Sequence, residues 1–420
     1  MTHDDTAGAR RRHTPNRPLW IATALVAGSL VLAGCATGAP SASSIGDSSS
    51  SASTTITTTT EDASTDTSTA AGADATTTSE TISSTAAAGE AFLATLSDEQ
   101  VDAVTYDYDD ETKSTSWSNF PVTFVERAGL NLADLTDEQK EAALGVLEAL
   151  LSDDAYATAT GIMAGDQYLR DNSSSTEESL GQYYIAFFGD PSDTGAWAVQ
   201  FGGHHLGINA DLNGAENAIT FAPTHLGVQP AVYADSEGEE VQPFAAIYET
   251  AFAFYDSLTD EQKASLYQGE EPATMACAPG GTCDYPTGTG LLGADLTDEQ
   301  KDLLLAVIAN WAGMADEETN AAALAEIEAT LDETYVTWSG ATVYDMTQGD
   351  GISFQISGPD VYIEFAAQNG SAGADVDGVV TSGWGHVHTI YRDPSNDYGG
   401  SVEQQEGSGP GAGAGAPPAG

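Results

Sequence analysis

Apolar positions divide the 420-residue chain into unlike stretches. Leu19 to Ala33 is a short, largely apolar run preceded by Arg10, Arg11, Arg12 and Arg17, the order of a secretory signal peptide, here residues 1–34. The run is short for a membrane span. Over residues 35–88 large apolar side chains almost vanish among Ser, Thr and Ala. Such a composition buries too little surface to fold, and it reads as a flexible spacer. From 89 to 402 apolar positions recur with helix and strand periods. Residues 403–420 return to Gly, Pro and Ala, the pattern of a disordered tail.

Inside the folded stretch, helix starts repeat. Ser97, Thr136, Thr259 and Thr297 each begin a Ser/Thr-Asp-Glu-Gln segment, a capping box in which the hydroxyl and the glutamine satisfy each other's backbone N–H. Ala133–Lys140 returns letter for letter as Ala294–Lys301, and the first and second boxes are almost equally spaced in each half. Strand patterns follow the helices. Tyr183–Phe188 leads through Gly189-Asp190-Pro191 to Trp197–Phe201, and Ile352–Ser357 leads through Gly358-Pro359-Asp360 to Val361–Phe365. The pattern predicts an internally duplicated α+β domain with halves of about 89–250 and 251–402. Each half would be a pair of helices followed by antiparallel β-hairpin strands, the halves packed pseudo-symmetrically.

Charge bears on partners. Against 64 Asp and Glu stand 11 Lys and Arg, a net charge of −53, which repels nucleic acid and excludes it as a partner. The chain has 3 cysteines. Leu32-Ala33-Gly34-Cys35 resembles a bacterial lipobox, which would make Cys35 the diacylated, palmitate-bearing first residue of an extracytoplasmic lipoprotein held on the bacterial membrane. An ordinary secretory signal with a chance cysteine is the alternative. Cys277 and Cys283 flank a Pro-Gly-Gly turn, and outside the cytoplasm such a pair predicts a disulfide loop. A metal-binding pair is the other option, although no histidine lies nearby.

Of 7 histidines, four fall in Gly203-His204-His205-Leu206 and Trp384-Gly385-His386-Val387-His388. In a strand His386, His388 and Ile390 share one face, with Val387, Thr389 and Tyr391 on the other. Laying the halves over each other puts His204 on His386 and Leu206 on His388. Two rings on one strand reach a common point, and imidazole suits zinc, copper or iron. The candidate divalent-metal ligands are therefore His204, His386 and His388, with His205 as a fourth or outer group and an open position for a small-molecule ligand. Histidines that simply hydrogen-bond in the core are the competing account, and His225 is read that way rather than as a ligand. Arg392 could clamp an anionic substrate or form a structural ion pair. Glu364 and Asp393 are the candidate proton carriers, with Asp393 and Asp397 also suited to a turn. Gly-x-Ser-x-Gly, His-Glu-x-x-His and phosphate-loop motifs are absent.

Gly203-His204-His205-Leu206, Gly358-Pro359 before Ile363-Glu364-Phe365, and His386-x-His388-Thr389-Ile390-Tyr391-Arg392-Asp393-Pro394 before Asp397-Tyr398-Gly399 together resemble the bacterial domain-of-unknown-function family three-thousand-five-hundred. The resemblance spans about residues 90–400 and implies secreted, often lipid-anchored proteins with no established activity. Two readings stand: a lipid-anchored metal protein or metalloenzyme, and a non-catalytic surface lipoprotein whose histidines are structural or line a cleft. Oligomeric state and substrate do not follow from the sequence.

Overall fold

The computed structural model describes residues 76–405, apart from 270, 273, 274, 348 and 349. The signal peptide, Cys35 and most of the expected spacer and tail lie outside the described residues.

The helices used below are α1 (Thr78–Leu93), α2 (Asp98–Val104), α3 (Asp137–Leu150), α4 (Asp153–Asn172), α5 (Ala245–Ser257), α6 (Asp260–Leu266), α7 (Asp298–Ala312) and α8 (Glu317–Ala329). Helices α2, α3, α6 and α7 each begin with a complete capping box at Ser97, Thr136, Thr259 and Thr297. The glutamines of the boxes also tie the helices together. Gln139 Nε2 donates to Thr95 O at 3.0 Å and Gln100 Oε1 at 3.3 Å, while Gln300 Nε2 donates to Ser257 O at 2.9 Å and Gln262 Oε1 at 3.0 Å.

Helix α1 starts inside the stretch expected to be spacer. Its Ser/Thr/Ala composition hides a helical stripe: Thr78, Thr81, Ile82, Thr85, Ala86, Gly89 and Phe92 are buried, and Thr77 with Glu80 forms a capping box. Small side chains bury little area each, but they allow close approach.

The main strands are β1 (Tyr183–Phe188), β2 (Ala196–Gly203), β3 (Leu206–Asn213), β4 (Thr224–Val228), β5 (Tyr335–Gly340), β6 (Ile352–Ser357), β7 (Tyr362–Gln368) and β8 (Gly383–Arg392). They lie side by side in the order β1-β2-β3-β4-β8-β7-β6-β5, every neighbouring pair antiparallel. The short strand Thr105–Tyr106 adds to β1 in parallel, so the sheet is mixed. The fold is α+β, as the patterning predicts; strand β5 is an addition to the expected hairpins.

Alternation divides the sheet into two faces. Leu206, Ile208, Ala210 and Leu212 of β3, Ile363 and Phe365 of β7, and Val387 and Tyr391 of β8 join the large apolar cluster with Ile82, Val146, Ile162, Tyr248 and Ile308 of the helices. The opposite face lies under loop segments and carries a smaller cluster of Trp117, Met275, Cys277, Tyr362, Ala366, Ile390 and Tyr398. Cys277 and Cys283 form a disulfide in one of those loops. The histidines reach this second side.

Candidate metal centre

His386 and His388 stand two apart on β8, and their rings share one side. β4 is the next strand, with His388 opposite Gly227, and it brings His225 alongside. A Cβ at Gly227 would meet His225 Cε1 and Nε2 at 3.1 Å, so the glycine makes room for that ring. His204 and His205 arrive differently, in the tight connection between β2 and β3. They are not strand residues, so the expected overlay of His204 on His386 joins a turn to a strand. His205 holds φ +63, a left-handed conformation that costs a residue with a Cβ. Its carbonyl accepts from Gly227 N at 2.6 Å.

All five histidines among the described residues meet here. His205 Nε2 lies 3.4 Å from His386 Nε2, and His386 Nε2 lies 3.1 Å from His388 Nε2. One ligand nitrogen from each of the three falls within 4.8 Å of the others. His204 packs on His205 with ring centroids 3.6 Å apart and planes tilted by 34°, and His225 stands edge-on to His388 at 5.6 Å. His205, rather than His204, is thus the ring that converges with His386 and His388.

The outer nitrogens are fixed. His205 Nδ1 donates to Asp166 Oδ1 at 2.8 Å and His386 Nδ1 donates to Asn369 O at 2.6 Å. Both acceptors lack a proton to give, so these rings carry theirs on Nδ1 and present a lone pair at Nε2. Asp166 also accepts from the Tyr183 hydroxyl at 2.9 Å. The Nδ1 of His388 accepts from Asn119 Nδ2 at 3.0 Å, so this neutral ring carries its proton on Nε2 and donates it toward His386 Nε2 at 3.1 Å. His225 Nδ1 donates to Thr389 O at 2.6 Å, leaving its Nε2 buried without a partner.

Burial holds the rings neutral. Desolvation, then the neighbouring imidazoles, pushes His205 and His388 well below the usual histidine range. Desolvation lowers His386 to about 4 and His225 to about 3, against the opposing pull of their carbonyl acceptors. Neutral imidazole is the form that binds metal.

Arg127 positions the framework. Its Nη2 donates to the carbonyls of Ser118 at 2.8 Å and Phe120 at 2.6 Å, on either side of Asn119, and to Gly203 at 2.8 Å, next to His204. Arg127 and Asp166 were not among the expected site residues. Asp166 had a signal: it occupies the buried stripe Ala159, Ile162, Asp166, Leu169 of α4, where an apolar residue is the rule.

The other candidates have separate partners. Arg392 is fully buried. It donates to Gly281 O in the disulfide loop and pairs with Asp397 at 3.2 Å. Glu364 accepts from Ala276 N at 2.8 Å, Cys277 N at 3.1 Å and the Tyr362 hydroxyl at 3.0 Å. Asp393 accepts from Ser395 N and Oγ, and burial raises it to about 6. These contacts hold the 393–397 turn and the disulfide loop to the sheet and do not reach a histidine.

Fold and site together define an α+β protein with a buried histidine cluster able to hold a metal ion. The chain belongs to the family described as protein of unknown function (DUF3500), whose model matches residues 78–400. Neither curated proteins nor solved structures yield a match.

Proposed function

We propose that this is an extracytoplasmic lipoprotein whose His205, His386 and His388 bind a first-row transition ion through Nε2. One observation carries the reading. The Nε2 atoms of His205 and His386 face each other at 3.4 Å, and both rings have committed their protons to Asp166 and Asn369. Two buried lone pairs pointed at each other repel, and a shared cation turns that repulsion into coordination. His388 joins through Nε2 when its proton moves to Nδ1, where the partnerless Asn119 Oδ1 can accept it once the amide turns over. Imidazole ligands suit zinc, copper or iron, and outer nitrogens bound to a carboxylate and a carbonyl are the supports metal-bound histidines have. Three protein ligands leave a position open, and His388 is the ring among them with partial exposure. An ion there would polarise a bound water or small ligand, which is what a metalloenzyme reading requires. The expected catalytic roles of Arg392, Glu364 and Asp393 do not enter the proposal.

Protein purified without chelator should carry stoichiometric zinc, copper or iron, and its unfolding temperature should fall on chelation. His386→Ala with His388→Ala should abolish that metal. A metal-free, chelator-insensitive parent leaves the histidines as a hydrogen-bonded core.

The anchor rests on the charged n-region, the apolar run and Leu32-Ala33-Gly34-Cys35. The disulfide agrees with an oxidising compartment. Cys35→Ser should release the protein from membrane fractions, and undiminished membrane binding would refute the anchor. The duplication is also part of the proposal. Among the described residues, four helices of seven residues or more and then four main strands recur, and the sheet order β1-β2-β3-β4-β8-β7-β6-β5 reads the same unit from both edges. On that pairing β4 answers to β8, so the counterpart of the β8 histidines is His225, not His204.

A further inference from the structure

We infer that the centre has a second cation subsite, made by Asp166, His204 and the Nδ1 of His205, so that His205 bridges two ions. The inference rests on the metal reading above and adds a site to it.

Ligand atoms of Asp166, His204 and His205 lie within 4.8 Å of one another, a second set that shares His205 with the first. Asp166 Oδ1 is 2.8 Å from His205 Nδ1 and 3.5 Å from His204 Nδ1. His204 is 7% exposed, and its Nδ1 is buried without a hydrogen-bond partner. That atom faces the same carboxylate oxygen as its neighbour but is too far for a good hydrogen bond. A core histidine serving only structure would close that gap or turn away. An ion held between the two nitrogens and the carboxylate would satisfy the orphan.

The rings, 3.6 Å apart and tilted by 34°, both turn Nδ1 toward Asp166, and the backbone that carries them is clamped on both sides. Gly203 O is held by Arg127 and His205 O by Gly227 N. The arrangement therefore does not depend on a loop that must first order.

Filling the second subsite replaces the Nδ1 proton of His205 with a metal bond. That proton leaves to solvent and the ring becomes an imidazolate, with one nitrogen on each ion. The first ion, on Nε2, makes the proton easier to lose because it draws electron density from the ring. Asp166 and the imidazolate each supply one negative charge to the pair of ions. The strongly acidic chain around them opposes the build-up of positive charge.

The test counts zinc per chain after loading the full-length protein and removing loosely held ions by gel filtration. Two ions are expected in the parent and one in His204→Ala, with Asp166→Asn behaving alike. Metal-free unfolding curves show whether each variant is folded, and His204→Ala decides alone if Asp166→Asn is not. One ion in both parent and variant overturns the second subsite while leaving the first. Two ions in both place the second ion elsewhere and overturn it as well. No ion in the parent removes the metal reading on which the subsite depends.

Discussion

On β3, Leu206, Ile208, Ala210 and Leu212 sink into the apolar cluster under the helices, while the intervening Asn209 and Asp211 face the loops. β8 divides the same way: Val387 and Tyr391 to the helices, His386, His388 and Arg392 to the other side. The two faces are buried by different means. Apolar contact is non-directional, so the helix face needs only volume and shape. The loop face holds polar groups out of water, and each costs free energy unless a partner stands at the right distance and angle. Lys113 meets Asp211 at 3.0 Å, and Gln200 bonds Asn209 at 2.6 Å. Where pairing on this face fails, most of the exceptions gather in one place. Among the described residues seven buried side-chain atoms lack partners: Asn119 Oδ1, Arg127 Nε, His204 Nδ1 and His225 Nε2 belong to the histidine centre or its support, while Asp211 Oδ2, Ser353 Oγ and Arg392 Nε lie elsewhere.

The contrast can be broken on either side. Phe365→Ala on the helix face, among Tyr248 and Phe354, should cost about 3–5 kcal/mol through lost burial and the cavity left behind. Asp211→Ala on the loop face should cost a comparable 3–5 kcal/mol for a different reason, since it leaves the buried Lys113 ammonium without its counter-ion. The two are told apart by rescue in denaturant unfolding. Adding Lys113→Met to Asp211→Ala should recover much of the loss, because the stranded charge goes with it. No second truncation refills the space at Phe365.

The next effect in size is pH dependence. His386 is lowered to about 4 from the ordinary 6.5, so the unfolded chain takes up a proton that the folded one refuses between those values. Stability of the metal-free protein is therefore full above pH 6.5 and falls as pH drops toward 4, by on the order of 3 kcal/mol for such a ring. His386→Asn should flatten that slope. A parent whose stability is level from pH 7 to 4.5 would contradict the neutral, desolvated centre.

Much of this was legible from residue order. Helix starts announced themselves because a capping box is local chemistry: Thr136 and Gln139, three apart, satisfy each other without help from the rest of the chain. The alternation of β8 was equally local, and Val387, Tyr391 and Ile390 fall on the faces their parity assigns. What stayed hidden depends on neighbours remote in sequence. Nothing in the order of residues places β4 beside β8, and without that pairing His225 reads as an isolated core histidine. Asp166 reaches the centre only because α4 lies against these strands, so its place in an apolar stripe was a signal without a partner. Helix α1 was missed because Thr and Ala score as spacer until tertiary packing gives their stripe something to cover.

The smallest effect probes how the loop face carries a charge. Glu364 is raised above the ordinary carboxyl value by burial, and the Cys277 and Ala276 N–H groups and the Tyr362 hydroxyl pull it back down. A raised carboxyl favours the folded state below its unfolded pKa of 4.5 and loses that contribution as pH rises through the folded value. Tyr362→Phe deletes one of the three donors, the bond of 3.0 Å to Glu364 Oε2, and leaves both backbone donors in place. The loss should be about 1.5 kcal/mol at neutral pH, the lower end for a bond to a charged acceptor. At pH 4 Glu364 is protonated and needs the donor less, so the gap between variant and parent should narrow. Measuring that difference, rather than either curve alone, cancels the titration of the histidines common to both proteins. A gap of equal size at both pH values would mean that the hydroxyl matters as the acceptor of Gln355 Nε2, at 2.7 Å, and not for the charge beside it.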